Sequence, residues 1–544
     1  MAVFQHIASR HLPWVLAALA SLIALLGVFT LPVLDRDEAR FAQASAQMME
    51  SGDFIRISFL DTARHKKPVG IHWAQVLSVK ALSSPEARQI WAYRLPSVAG
   101  LILMVLSAFY LGAPWLGRHA SAIGASLLAV SVLAGAEGGI AKTDALMVGF
   151  TTLALLGLTR VYLHADAPQK ARIWAIVTWG ALGAGALIKG PVTPLIVILS
   201  GLALLGSTRQ WRWLIPFFYW PGPVLGLAII LPWLISIQIA TQGGFLREAL
   251  GQDLGPKVVS GHEGHGGWPG THSLLLILLF FPATLALPAG FYRLWRAIKD
   301  QNEAFKAALI LISVSVPGLV VFEFLPTKLA HYALPAYPGL ALIAGWGLAH
   351  WRETPIWVKA IGTVLFILGA GLFLTALIVG QNQFSGDWVW TGLAFALLTL
   401  TSLVCLFSAL HPKARFIVLA ALVTGLSWHI AFRTLAVPHL HDLDLSRQAD
   451  QALNDMCNAE GRTIVSSYSE PSFAFLRHGQ VIFADNANLL SAAPDETVVF
   501  VVDHSRDGGD AIEMQLGPSC GEGVGFNYSR GDITRLTLHP YPQR

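Results

Sequence analysis

Charged side chains are scarce in this chain of 544 residues. Asp, Glu, Lys and Arg make up only 13% of it, whereas hydrophobic residues make up 54%. A soluble globular domain carries about 25% charged residues. The mean hydropathy is +0.56, and apolar runs recur along the first four fifths of the chain. Because one soluble core cannot absorb so many apolar runs, the composition excludes a soluble enzyme and predicts an α-helical protein with many membrane spans.

Cysteines and nucleotide-binding patterns are also few. The C-terminal segment has no G-x-G-x-x-G or Walker pattern, and a net charge of +4 gives no reason to expect a nucleic-acid partner. Of the three cysteines, Cys405 lies in an apolar run, where it fills space. Cys457 and Cys520 both lie in the polar C-terminal segment. They could pair outside the cytoplasm, and the sequence leaves that pairing open.

A signal-peptide cleavage site is missing as well. The first apolar run, 12–34, is too long for a signal-peptide core, and acidic residues follow it directly. We therefore expect it to remain as a membrane helix. In all, the sequence predicts about thirteen spans. They lie near 12–34, 90–113, 120–136, 145–163, 173–188, 190–206, 214–237, 273–292, 307–325, 329–349, 357–379, 389–409 and 415–436.

Loop charges predict the orientation. The short loops that share a side with the N-terminus are rich in Lys and Arg, which places the N-terminus in the cytoplasm. An odd number of spans then sends the C-terminus to the periplasmic side of a bacterial inner membrane. Two long outer loops are expected at about 35–89 and 238–272, the first with helices along the membrane surface. We divide the chain into a membrane catalytic domain, 1–436, and a small soluble α/β domain, 437–544, in which strand-like runs alternate with a helical stretch.

Acidic residues collect at the outer ends of the predicted spans. Asp37 and Glu38 follow the first span, and Asp144 begins the fourth. The simplest role for each is to cap a helix, since carboxylates are favoured at helix N-termini. Charges at bilayer depth nevertheless require a partner, a polar cavity or a function. Carboxylates that converge on one cavity could orient or deprotonate an acceptor.

Lysines from three separated loops share this outer side. They are Lys67, Lys189 and Lys328. Long side chains at span ends often reach for the interface without any further role. A phosphate leaving group, however, requires positive charge where negative charge develops. Together with the acids, the lysines therefore predict an outward-facing cavity for a phosphorylated substrate.

The order of several short motifs resembles a known family. The motifs are Asp37–Phe41, Ser51–Phe54, Lys67–Pro68, Thr143–Leu146, Leu187–Gly190 and Lys328–Tyr332. In this order they look like the lipid A 4-amino-4-deoxy-L-arabinose transferase and protein O-mannosyltransferase family of the GT-C superfamily. The resemblance covers roughly residues 10–350 and includes the layout of spans. Collinear order is far more specific than any single motif.

The resemblance implies an inverting glycosyltransferase with a polyprenyl-phosphate sugar as donor. Asp37 would be the acceptor-binding carboxylate or base, accompanied by Asp144 and Glu38. The implied ligands of the donor phosphate are Lys67, Lys189, Arg247 and Lys328. The implied lining of the substrate cavity is Arg40, His331 and Tyr332.

The acceptor remains open between lipid A or lipopolysaccharide, another envelope glycan and a protein hydroxyl. Each of these would be met in the lipid bilayer or at its outer face. A lipid or sugar transporter is the alternative from another class. It is disfavoured because the charges lie at span ends and no internal repeat is visible.

Two departures from the family pattern concern a metal. Lys66 stands where relatives often have an acid that is a candidate metal ligand. The loop 261–267 is rich in Gly and His and contains His262, Glu263 and His265. Such a loop could hold zinc or copper, or it could contact substrate, and we assign Glu263 and His265 to the substrate cavity. The sequence therefore assigns no cofactor and leaves a divalent metal open.

Overall fold

The computed structural model describes residues 2–34, 36–255, 266–411, 414–457, 462–485, 489, 498–528 and 530–541. Across these ranges the chain is mostly helical. Eight helices of the described part are long and apolar enough to cross a membrane, or nine if a bent pair counts as one span. They are Ile90–Val130, Asp144–Leu163, Pro168–Lys189, Pro221–Ala240, Phe305–Phe324, Ile356–Gln383, Trp388–Ala409 and Ala414–His439, with the bent pair Thr271–Leu279 and Ala283–Asp300.

Several predicted spans have a form that their hydropathy alone does not reveal. One helical segment of 41 residues contains the start of two predicted spans, 90–113 and 120–136. The segment breaks between them at Gly117, whose φ of 78° is left-handed. The bent pair turns by 115° between its two helices. The predicted span 329–349 begins as a 3-10 helix, Ala330–Ala336, before helix Tyr337–Ala349. The total of about thirteen spans stays a prediction.

Further helices complete the membrane part. They are Ala2–Leu25, Arg36–Ser51, Gly70–Leu82, Val132–Glu137, Val192–Thr208 and Gly244–Glu248, and the second half of the bent pair contains helix Leu287–Asp300. The two helices of the first long loop, Arg36–Ser51 and Gly70–Leu82, are joined through a small hairpin of strands β1 (Ser58–Phe59) and β2 (Thr62–Ala63). This loop is therefore an ordered layer whose helix Arg36–Ser51 is largely buried.

Glycines allow the central helices to approach closely. A Cβ atom on Gly100 would lie 2.4 Å from the backbone nitrogen of Leu146, and one on Gly345 would lie 2.4 Å from that of Gly124. Small residues are what membrane helices use to bring their backbones together. Because Leu146 follows Asp144 by two residues, the contact at Gly100 fixes the start of helix Asp144–Leu163 against helix Ile90–Val130.

The C-terminal part contains a five-stranded sheet. Its strands are β3 (Thr463–Ser466), β4 (Val481–Ala484), β5 (Val498–Asp503), β6 (Gly521–Asn527) and β7 (Asp532–Tyr541). They lie in the order β4-β3-β5-β7-β6. Strand β3 pairs in parallel with β4 and β5, whereas β7 is antiparallel to β5 and β6. The accompanying helices are Leu445–Asp455, Pro471–Leu476 and Gly509–Leu516.

A disulfide closes this C-terminal part. Cys457, after helix Leu445–Asp455, is bonded to Cys520, beside β6. The pairing that the sequence left open is therefore present. The strand-like runs of the sequence fall on β3, β4 and β5, and the division into domains at residue 436 stays a prediction.

Candidate active site

Glu38 is tied into the protein by an arginine from the next membrane helix. Its carboxylate accepts hydrogen bonds from Nε of Arg94 at 2.8 Å, from Nη2 of Arg94 at 2.9 Å and from the backbone N–H of Ala141 at 2.8 Å. Arg94 also donates to the carbonyl oxygens of Val28 and Leu31. Both side chains are almost fully buried. Glu38 therefore joins three segments at the start of the site, and its geometry fits a positioning role better than contact with substrate.

Asp37 points the other way and is half exposed, with 48% of its side chain accessible. Its Oδ1 lies 3.5 Å from Nη2 of Arg64 and 3.6 Å from Nη1 of Arg40. Arg64 is held in place over the ring of Phe41, 5.2 Å from its centroid. Partial withdrawal from water raises the pKa of Asp37, but the charges of Arg64, Lys142 and Arg40 outweigh this effect and lower the pKa to about 2. Asp37 is thus a carboxylate at any physiological pH.

Asp144 is the buried member of the pair of acids. Its Oδ1 accepts a hydrogen bond from Nζ of Lys189 at 2.5 Å and lies 3.9 Å from Nε2 of His331. The ammonium of Lys189 lies 5.6 Å from the centre of the Tyr332 ring, and the His331 and Tyr332 rings meet edge to face. The structure therefore brings together four of the predicted residues, which come from three elements.

Lys142 links the two acids electrostatically. It is buried beside Glu137, with Nζ 3.5 Å from Oε1. Its charge acts on Asp37 and on Asp144 alike. The sequence marks Lys142 only as a charge near a span, which is the signal that a buried functional lysine leaves. One region of positive potential thus serves both carboxylates.

Lys328 has a structural task in this conformation. Its Nζ donates to the carbonyl oxygens of Phe322 at 3.0 Å and Glu323 at 2.5 Å, at the end of helix Phe305–Phe324. Cations at helix C-termini are favoured by the dipole. Glu323, which sequence reasoning missed, accepts hydrogen bonds from the backbone N–H groups of Gly270 and Ser273 at the start of helix Thr271–Leu279. Lys328 would have to leave its carbonyl partners to reach a phosphate.

The remaining predicted cations lie in the two long loops, Lys67 in the first and Arg247 in the second. Lys67 is partly buried, whereas Lys66 and Arg247 are exposed. His65 joins the first long loop to the second, because its Nδ1 lies 3.1 Å from Oε2 of Glu248. The sequence analysis singled out neither of these two residues. A cavity of about 220 Å³ opens here. It is lined by Phe59, Thr62, Ala63, Arg64, His65, Lys66, Glu248 and Gln252.

A metal held by the second long loop stays an open prediction. Glu263 and His265 lie outside the described residues. Within the described ranges, one group of three side chains has the spacing of metal ligands, formed by His504, Asp510 and Glu513 in the C-terminal part. None of these three side chains lines the cavity beside Arg64.

Comparison with known proteins first defines the fold. The structure matches the crystal structure of ArnT from Cupriavidus metallidurans bound to undecaprenyl phosphate, with a TM-score of 0.73 at 18% identity, over 96% of this chain and 97% of that one. It matches the archaeal oligosaccharyltransferase AglB from Archaeoglobus fulgidus, in complex with an inhibitory peptide and a dolichol-phosphate, with a TM-score of 0.51 at 12% identity, over 95% and 70% of the two chains. The chain therefore has the helical GT-C fold of ArnT.

Sequence relatives then give the family likeness. The model of the dolichyl-phosphate-mannose-protein mannosyltransferase family matches residues 66–235. An undecaprenyl phosphate-α-4-amino-4-deoxy-L-arabinose arabinosyl transferase from Pseudomonas aeruginosa is 27% identical over 380 residues, which are 68% of this chain and 65% of that protein. A protein of the same name from Pectobacterium carotovorum is 25% identical over 67% of each chain. The resemblance predicted from the motifs is confirmed. The apolar helices and these relatives identify a multi-pass protein of a bacterial inner membrane.

Proposed function

We propose that this chain is an inverting glycosyltransferase that moves one sugar from a polyprenyl-phosphate donor to an acceptor outside the cytoplasm. One observation carries the proposal. A half-exposed, ionised Asp37 lies among Arg40 and Arg64, and Lys142 connects it electrostatically with the buried pair of Asp144 and Lys189. The likeness to transferases that are named for an undecaprenyl phosphate sugar supports the donor class.

Each part of the site has a task in this reaction. As the bond between the anomeric carbon and the phosphate oxygen breaks, negative charge grows on the polyprenyl phosphate. Positive charge that is already in place stabilises that change without reorganisation. Lys189 and Lys67 are the proposed ligands of this phosphate, with Arg247 as a further candidate at the rim. Tyr332 lies against the Lys189 ammonium and His331 lies beside Asp144, while Asp37 binds and orients the acceptor together with Arg40 and Arg64.

The charge state of Asp37 favours one kind of acceptor. A general base works best when its pKa is close to the working pH, and the pKa of Asp37 is held at about 2 by its cationic neighbours against the effect of partial burial. A hydroxyl group would receive little help from such a weak base. A phosphate monoester arrives already deprotonated and requires none, and Arg40 and Arg64 beside Asp37 supply the positive charge that offsets its repulsion by the carboxylate. A lipid A phosphate therefore fits better than a protein hydroxyl, which is the alternative acceptor.

The side of the membrane follows from charge and redox chemistry. The short Lys- and Arg-rich loops favour a cytoplasmic N-terminus. The disulfide between Cys457 and Cys520 is typical of an oxidising compartment. Both support a periplasmic position for the site and for the α/β domain that we propose from residue 437; the thirteen spans of the catalytic membrane domain are part of the same proposal.

Transfer by the purified protein tests the proposal. The full chain in detergent would receive a radiolabelled polyprenyl-phosphate sugar and either lipid A or a hydroxyl-bearing peptide. We expect label in lipid A, lost by at least about 100-fold in Asp37→Asn and Lys67→Ala, since each removes charge from a preorganised site. Asp61→Asn, a change at an exposed acid of the same loop, is the matched control and should retain full transfer.

Two outcomes would contradict the proposal. Full transfer by both Asp37→Asn and Lys67→Ala would refute the assignment of the site. Movement of labelled donor lipid across proteoliposomes without any product would instead support a transporter.

A further inference from the structure

The C-terminal part touches the membrane part directly beside Asp37. Arg36 is the first residue of helix Arg36–Ser51, and its Nε lies 3.7 Å from Oε2 of Glu470. Only 3% of the Glu470 side chain is exposed, whereas 39% of Arg36 is. Glu470 immediately precedes helix Pro471–Leu476, which packs against helix Arg36–Ser51. The ion pair therefore joins the sheet of the C-terminal part to the first turn of the helix that carries Asp37.

Glu470 lies beside the sheet, at a position where α/β domains often bind ligands. It follows the carboxyl end of β3, whose two parallel neighbours, β4 and β5, lie on opposite sides of it. Open α/β sheets bind ligands at such a point, where connections leave to both sides. In this chain the group that meets the loop after β3 is Arg36, from the chain's own membrane part.

The electrostatics indicate what this contact does. A buried carboxylate is costly unless a cation accompanies it, and the cation that accompanies Glu470 is Arg36. Arg36 also stands at a helix N-terminus, where the dipole disfavours positive charge. Glu470 offsets that unfavourable position. The pair is a charge contact at 3.7 Å without a hydrogen bond between the two atoms, and it acts on the first helical turn, which contains Asp37.

We propose that Glu470 is a positioning residue for the transfer reaction. Through Arg36 it holds the first turn of helix Arg36–Ser51, so that Asp37 keeps its place between Arg40 and Arg64. The inference rests on the proposed function, in which Asp37 binds the acceptor. It makes the C-terminal part necessary for turnover although Glu470 itself does not touch substrate.

Turnover by the full chain in detergent tests this role. Glu470→Gln keeps the shape and removes the charge. We expect it to lower kcat by at least about 10-fold with KM for the acceptor within about 2-fold, because a displacement of about 1 Å can cost up to about 100-fold. In an Asp37→Asn background the same change should cost less than about 2-fold, since residues that act through one group are not additive. Arg36→Gln should reproduce the effect of Glu470→Gln, and the double variant should be no worse.

A matched control lies in the same interface. Arg88 contacts the ring of Phe475 at 5.7 Å and pairs with Glu50 at 2.5 Å. Arg88 also donates to Oε1 of Gln43 at 3.2 Å, and its two contacts on this helix, Gln43 and Glu50, lie about 10 and 20 Å along the axis from Arg36, at 1.5 Å per residue. Arg88→Met therefore weakens the docking without reaching Asp37, and it should lower the melting temperature while kcat of the folded protein stays within about 2-fold. An equal loss of kcat in Arg88→Met and Glu470→Gln would overturn the positioning role.

Hydrogen exchange provides a readout that does not depend on catalysis. We expect faster exchange of the backbone amides of residues 40–42, which donate to the carbonyl oxygens of the first helical turn, in Glu470→Gln, and unchanged exchange there in Arg88→Met. Unchanged exchange in Glu470→Gln would overturn the inference even where kcat falls. If the unmodified chain transfers no sugar, the proposed function fails, and the exchange experiment still decides whether Glu470 holds this turn.

Discussion

The buried pair of Asp144 and Lys189 allows stability and chemistry to be separated. The two charged atoms lie 2.5 Å apart, with 3% of Asp144 and 11% of Lys189 exposed. Removing one partner of such a pair leaves an uncompensated buried charge, which costs about 3–5 kcal/mol, whereas replacing both is often close to neutral. Lys189→Met should therefore lower the melting temperature of the purified protein markedly. Asp144→Asn combined with Lys189→Met should recover most of that loss.

Transfer activity should not follow stability in this series. If Lys189 receives the leaving phosphate, its loss removes positive charge that stabilises the transition state. Deleting a single group of this kind lowers the rate by about 100- to 1,000-fold. The double variant should thus be folded and inactive, as measured by melting in detergent and by label transfer to lipid A. Recovery of transfer along with stability would show that Lys189 serves the fold alone. A stable Lys189→Met variant would refute the electrostatic account of the pair.

Three further predictions address other parts of the chain. Lys328→Met should cost about 1 kcal/mol through loss of helix-end hydrogen bonds and leave label transfer within about 5-fold, because Lys328 contacts backbone carbonyls. Between pH 5 and 8, the pH profiles of transfer by the unmodified protein and by Asp37→Asn should have the same shape, because cationic neighbours outweigh partial burial and lower the pKa of Asp37 to about 2. The stabilisation that ionised Asp37 gives to the fold is present above its ordinary pKa of 3.8 and is lost as the pH falls through about 2. Cys457→Ser should lower the melting temperature, because the 63-residue separation from Cys520 corresponds to about 4 kcal/mol of loop-closure entropy, and reduction of the unmodified protein should do the same.

Hydropathy was a good guide to the class of fold and a poor guide to its details. Long apolar runs predict helices because a bilayer permits little else, and the structure is mostly helical; the GT-C fold was expected from the family resemblance of the motifs. The break at Gly117 and the bend between Thr271–Leu279 and Ala283–Asp300 depend on local backbone geometry and packing. An average over a window of residues does not contain that information.

The candidate site was predictable where charge stands out against apolar surroundings. Asp144, Lys189 and His331 meet as expected because each begins or ends a helix on one side of the bundle. Only the family resemblance gave the acceptor to Asp37 and not to Glu38; adjacent helix residues face different directions, and helix packing decides which of them is buried. The sequence did not reveal Arg94 as the partner of Glu38, because 56 residues separate them along the chain. Sequence spacing can place residues on one side, but it cannot pair them.

The pairing of charges explains why Asp37 stands out among the acids of the membrane part. Glu38 is engaged by Arg94, Asp144 by Lys189, and Glu323 by backbone N–H groups of a helix start. Each of these carboxylates is buried, and its contacts replace the water that it has lost. Asp37 has arginines 3.5 and 3.6 Å away, yet nearly half of its side chain remains accessible. Because the other three hold the surrounding segments in place, the accessible Asp37 is presented on a rigid frame, which is the arrangement that binding an acceptor in a fixed orientation requires.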